Sequence, residues 1–246
     1  MRKMITALVA GGALVVTAFP AHAAPMDPVL ALKAKLTPGH GVRFTEKAVL
    51  SDDKEEWEVQ SRKGAFQFDK RGVAASDVTI TTIDSERQRA IGVDKTTYVS
   101  GSMLDGRLPE GKTWLKTRGG GLFGFYGQII NPAEPKTLAA LIKGGTPGKS
   151  TVTGTITFKE LERVSPWFAA STPSSWHDGT KVSYTLTLTS AGLVSGVRSS
   201  YTATGVVGRG DVEGRTITVD SRYTKWGGKV SIKAPDPRTV TSEPLS

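Results

Sequence analysis

Several groups of residues in this chain have the types and approximate spacing that chemistry uses. KGGTPGKS (143–150) ends like a phosphate-binding loop, but the position such a loop needs as its first glycine is Lys143. Ser51-Asp52-Asp53-Lys54 has the serine-x-x-lysine spacing of penicillin-recognising enzymes, yet it falls in a hairpin-turn sequence and the companion motifs are missing. Ser175, His177 and Asp178 are too close in sequence to build a triad among themselves, and no glycine-x-serine-x-glycine elbow exists to present a serine. Asp52, Asp53, Glu55 and Glu56 interleave with Lys54 without calcium-loop spacing and read as a solvated turn. Arg209-Gly210-Asp211 matches an adhesion tripeptide only by chance. The chain has no cysteine, which excludes thiolate catalysis and disulfides. The reading is therefore of a non-enzyme, with no catalytic residue, no metal site and no cofactor.

What remains is apolar. In GGGLFGFYGQ (119–128), Leu122, Phe123, Phe125 and Tyr126 sit in a glycine-rich stretch where strand periodicity stops. Such residues serve either as a lid or membrane-touching tip, or as core folded inward. Leu138, Leu141 and Ile142 fall on one side of a predicted helix, and Trp167 and Phe168 open another. These either line a cavity or pack a core. All nine are candidate residues of a hydrophobic ligand cavity.

Positioning them is the work of a β-rich chain. Residues 1–23 have Arg2 and Lys3, an apolar run and the small-residue site Ala21-His22-Ala23, the pattern of a secretory signal peptide. Removal leaves 24–246 as one domain, directed to a secreted or extracytoplasmic location. Asp27 and Pro28 then cap and start a short helix. Alternation by twos follows at Val42/Phe44, Trp57/Val59, Phe66/Phe68, Val78/Ile80 and Ile91/Val93. SDDKEE (51–56), RKG (62–64) and VDKTT (93–97) read as the turns between them, and TWLK (113–116) as one more strand. INPAEPKTLAALIKGG predicts a helix capped by Asn131, with Pro132 in its first turn and Gly144 at its end. A third helix starts at Ser165-Pro166. Strands resume through Val152/Ile156/Phe158, Val182–Leu188, Leu193/Val197/Tyr201, Ile217/Val219/Tyr223 and Val230/Ile232. Ser190-Ala191-Gly192 forms a hairpin turn, Trp226-Gly227 a bulge or tight turn, and Val230/Ile232 the sheet edge. The class is α+β: roughly eleven antiparallel strands that curl, with short helices covering the concave face.

Lysine and arginine total 32 against 23 acidic residues, but they are scattered in ones and twos, as in Arg62-Lys63 and Lys70-Arg71. They read as solvated faces. The balance leaves room for weak contact with an anionic membrane or cell-wall surface, and exported proteins seldom meet nucleic acid.

The order RAIGVDKTTYVSG, GKTWLK, NPAEPKTLAALIKGG, STVTGTITFKEL, KVSYTLTLTSAGLVSGV and YTKWGGKVSIKAP resembles the LolA-like lipoprotein carriers of the LppX and LprG kind, over about Ala31 to Pro237. The resemblance implies a half-barrel with helices over its concave face and room between for acyl chains of lipids or lipoproteins. Those lipoproteins have a cysteine directly after the signal, where this chain has Ala23, Ala24 and Pro25, so no lipid anchor is expected. The expected function is that of a secreted, non-catalytic lipid or acyl-chain carrier. The alternative is an envelope sensor or scaffold with a self-filled half-barrel, acting through a protein partner.

Overall fold

The computed structural model describes residues 26–84, 86–118, 126–171, 178–204 and 212–242. The predicted signal peptide, Ser175, His177, the 209–211 tripeptide, and Leu122, Phe123 and Phe125 lie outside them.

Asp27 accepts from the backbone N–H groups of Val29 and Leu30 at 2.7 and 3.2 Å, and starts α1 (Pro28–Lys33) with proline at the first helical position. Next come β1 (His40–Ser51), β2 (Glu56–Phe68), β3 (Val73–Thr82), β4 (Arg87–Val93), β5 (Thr96–Gly101) and β6 (Trp114–Arg118). The second half of the chain holds α2 (Pro135–Gly144), β7 (Thr146–Pro147), β8 (Thr151–Thr157), α3 (Phe158–Val164) and α4 (Pro166–Ser171). It closes with β9 (Lys181–Leu188), β10 (Val194–Thr202), β11 (Thr216–Lys229) and β12 (Val240–Thr241).

All twelve strands form one open sheet in the order β12-β6-β5-β4-β3-β2-β1-β11-β10-β9-β8-β7. Two antiparallel meanders, β1 to β6 and β7 to β11, are joined where β1 pairs with β11. Only β12 runs parallel to its neighbour, β6. Turn chemistry sets these neighbours. Asp94 and Lys95, both at positive φ, make the two-residue β4–β5 turn, and Gly192 at φ 75° makes the β9–β10 turn. One face, with Val42, Phe44, Ala48 and Leu50 of β1, is buried in the core. Arg43, Thr45 and Lys47 point to the outer face.

Four sequence expectations are corrected. RKG (62–64) is not a turn: β2 runs straight through it, because Arg62 points inward to Glu46 and Gly64 gives space to the Phe44 ring. Val230/Ile232 is not an edge strand. β11 lies in the middle of the sheet and ends at Lys229, while Val230 packs beside Gly41. Phe158 leaves the strand and opens α3, a helix set by a capping box between Thr157 and Glu160. The helix after Asn131 begins only at Pro135, because Glu134, preceding a proline, is held extended (φ −95°, ψ 114°). The expected bulge at Trp226 is present: Gly41 faces Gly228 and Arg43 faces Thr224, with Lys225 and Gly227 at positive φ.

This order imposes a crossing. β6 lies beside one edge and β7 forms the other, so the chain between them must traverse ten strand spacings, roughly 50 Å at about 4.8 Å each if the sheet were flat. Among the described residues of that crossing, 127–134 are buried: Gln128, Ile129, Ile130, Asn131 and Ala133 are each at most 3% exposed.

The Phe44 ring lies 4.9 Å from that of Phe66 and close over Gly64, where a Cβ would sit 3.0 Å from Phe44 Cζ and run into the Asp77 carbonyl oxygen. Gly64→Ala is expected to cost about 1–3 kcal/mol by overpacking. Gly196→Ala, whose Cβ would meet nothing closer than 3.5 Å, should change stability far less. Urea denaturation of both variants checks this.

Candidate functional site

The crossing segment is irregular backbone on an apolar sheet face, so its N–H and C=O groups need partners that no strand supplies. Side chains provide them. The Gln128 N–H donates to Glu46 Oε1 at 3.2 Å, and the Ile130 N–H to Gln128 Oε1 at 3.1 Å. Ser199 Oγ donates to the same amide oxygen at 2.8 Å, and Gln128 Nε2 donates to Ser221 Oγ at 3.1 Å. Trp167 Nε1 donates to the Gln128 carbonyl at 2.8 Å, and the Ala133 N–H to Asn131 Oδ1 at 3.0 Å. Gln128 thus pins the segment to β1, β10, β11 and α4 together.

Glu46 could not serve here as a lone buried charge. Arg62 on β2 donates to its carboxylate, and both side chains are at most 2% exposed. The guanidinium lies against Gly127, where any Cβ would collide with it, and 6.0 Å from the Trp167 ring. Around this ion pair lies an aromatic layer. Phe66 meets Trp167 edge-on at 5.1 Å, and Tyr223 lies 6.2 Å from Phe44 and 6.1 Å from Trp226. Burial pushes the Tyr201 and Tyr223 hydroxyls well above their usual range.

A second polar centre ties the helices. Glu134 accepts from Ser165 Oγ at 2.6 Å, the Trp167 N–H at 2.7 Å and Thr137 Oγ1 at 2.9 Å, joining the start of α2 to the α3–α4 junction. Burial raises its pKa, and those hydrogen bonds only partly offset the rise.

Of the nine sequence-predicted cavity residues, Leu138, Leu141 and Phe168 are buried in the core, and Tyr126, Ile142 and Trp167 are half-buried against it. The helices pack chiefly on one another and on β8. The other half of the inner face is built differently. Register places Gly64, Val78, Ala90, Val99 and Leu115 side by side across β2 to β6, a ladder of small and medium side chains. At one end of the ladder's first two strands, β2 and β3, the cross-strand neighbours Gln60 and Thr82 bury Nε2 and Oγ1 without hydrogen-bond partners. Arg62, expected with Lys63 on a solvated face, is instead 3% exposed because it turns inward to Glu46, and neither Glu46 nor this ladder was singled out from the sequence. Their signal was phase: Glu46 alternates in step with Val42 and Phe44, and Arg62 with Phe66.

The Ser51–Lys54 motif is a turn, as expected, with Asp52 accepting from the Lys54 and Glu55 N–H groups at 2.9 and 3.0 Å. Those bonds hold its carboxyl below the usual range. Among the described residues no helix is long and apolar enough to cross a membrane.

No family model and no curated protein matches the chain. Among solved structures it is similar to the lipoprotein LppX of Mycobacterium tuberculosis, with 11% identity, 83% of this chain and 99% of that one covered, and a TM-score of 0.37. It is also similar to a LolA superfamily protein from Nitrosomonas europaea, with 10% identity, 80% and 90% covered, and a TM-score of 0.36. The architecture itself, an open, curved, mostly antiparallel sheet with short helices on one face, is given by the chain's own strand order.

Two outcomes are expected. Arg62→Met leaves Glu46 buried without its cation and should cost about 3–5 kcal/mol, whereas adding Glu46→Gln should restore part of the loss. Equilibrium denaturation of the single and double variants measures both. Glu134, with its folded pKa raised, binds its proton more tightly when folded, so its contribution is fully present below its unfolded pKa and is lost as pH rises through the folded value. Glu134→Gln cannot lose that proton. The melting temperature of the variant minus that of the parent should therefore become more positive from about pH 4 to pH 7.

Proposed function

We propose that the protein is a secreted, non-catalytic carrier of the bacterial cell envelope that binds a lipid or an acylated ligand. The observation that carries this is the small-residue ladder from Gly64 to Leu115. It is apolar, spans four strand spacings or about 19 Å, and lies on the half of the inner face away from the main helix contacts. That is the scale of an extended long acyl chain, and burying sixteen methylenes would contribute roughly 12 kcal/mol before association and ordering costs of several kcal/mol.

Val78, Ala90 and Val99 are buried, so loading requires their cover to move. We assign cover and admission to Leu122, Phe123, Phe125 and Tyr126, and assign Gln60 and Thr82 to the ligand's polar end. Leu138, Leu141, Ile142, Trp167 and Phe168 back the far side. The Glu46–Arg62–Gln128 centre is the fixed border between the two halves.

A second reading has a specific observation in its favour: the burial of Val78, Ala90 and Val99 by the chain itself suits an envelope sensor or scaffold with a self-filled interior that acts through a protein partner. Native mass spectrometry of the purified protein, followed by titration with a fluorescent fatty-acyl probe, separates the two. The carrier reading predicts co-purified or captured acyl ligand at about one per chain. A protein that is empty and takes up no probe contradicts it and leaves the scaffold.

A further inference from the structure

The outer face shows something that composition hides. Its cations are scattered in sequence, but strand register collects them. Reading straight across β10, β11, β1, β2, β3, β4 and β5, the facing residues are Gly196, Arg222, Thr45, Lys63, Thr79, Arg89 and Ser100. A cation therefore recurs at every second strand, about 10 Å apart, with only glycine, serine or threonine between. The row two residues along each strand continues in kind, with Arg198, Lys47 and Arg87 spaced by Ser61 and Thr81 and by one acid, Asp220.

Three of these cations are committed to acids: Lys47 to Glu58 at 3.0 Å, Arg89 to Asp77 at 2.7 Å and Arg198 to Asp220 at 2.6 Å. Lys63, Arg87, Arg222 and the neighbouring Arg43 have no acidic partner among the described residues, and all four are exposed. Between the rows runs a trough of about 1230 Å³, adjoined by a second of about 800 Å³ that shares Thr45, Lys63, Thr79 and Arg87.

We infer that this trough binds an extended anionic polysaccharide. Four uncompensated cations gathered on the facing strands β11, β1, β2 and β4 call for an occupant with repeated negative charge. A floor of threonine and serine hydroxyls calls for one rich in hydroxyls, and the trough's length calls for a chain. A bilayer fits less well: among the described residues the exposed large apolar side chains are Met26, Leu30, Ile83 and Met103, and none of them is in the trough. A nucleic acid fits less well too, because no aromatic ring lines the larger trough for a base to stack on. The inference is independent of what the inner face holds.

The test is binding of the full chain to labelled polygalacturonate, with neutral dextran and with vesicles of phosphatidylglycerol and phosphatidylcholine as comparisons. The protein should bind polygalacturonate and not dextran, and affinity should fall about tenfold or more between roughly 0.05 and 0.3 M salt. The Lys63→Glu/Arg87→Glu/Arg222→Glu variant should lose about tenfold or more with an unchanged melting temperature. If that variant does not fold, Lys63→Gln and Arg222→Gln should each still weaken binding severalfold. No binding by the parent, equal binding of dextran, undiminished binding by the folded variants, or tighter binding to vesicles than to polymer would each overturn the proposal.

Discussion

The rest of the structure depends on a topological debt. Because the two meanders meet at β1 and β11, the chain leaves the first near one edge and enters the second at the other, and it crosses the inner face on the way. Irregular backbone pressed onto an apolar sheet must find hydrogen bonds or lose several kcal/mol. Glu46, Gln128, Ser199 and Trp167 supply them, and Arg62 makes the buried carboxylate tolerable. A charge pair in such a place is poor evidence of added stability. Its effect is to fix where the crossing lies.

That fixed crossing divides the inner face. On one side α2, α3 and α4 are tied together through Glu134, and Phe158 lies 5.1 and 5.3 Å from the rings of Phe168 and Tyr201. On the other side one row across β2 to β6 presents Gly64, Val78, Ala90, Val99 and Leu115, smaller on average than the flanking Phe66 and Ile80. Small side chains on an inner face fill less of the space above them, so that half depends on whatever else lies over it. The asymmetry gives the proposed carrier role a definite location instead of a general hydrophobic interior.

Much of this was legible in the residues. The alternation of β1, β9 and β11, the Asp27-Pro28 helix start, the Ser190–Gly192 turn and the bulge at Trp226 follow from local rules, and the structure has each of them. Other features were hidden where two local rules compete. Arg62-Lys63-Gly64 has the composition of a turn but the phase of a strand, and phase wins because Glu46 waits opposite. Phe158 continues the beat of β8, yet the Thr157–Glu160 capping box bends the chain into a helix. Val230 and Ile232 alternate correctly but find no free strand edge, since β11 is flanked on both sides. The ladder and the cation rows are products of register between strands far apart in sequence, which no single stretch encodes.

The central claim is that the Glu46–Arg62–Gln128 centre stays closed while the half-face beside it yields to a ligand. Amide hydrogen exchange, with and without a saturating long-chain acyl probe, tests it most directly. The account predicts that Gln128 and Ile130 keep the same protection in both states, while residues 119–125 and the inner strands β3 to β5 change. Lost protection at Gln128 and Ile130 on loading, or no change anywhere, would contradict it.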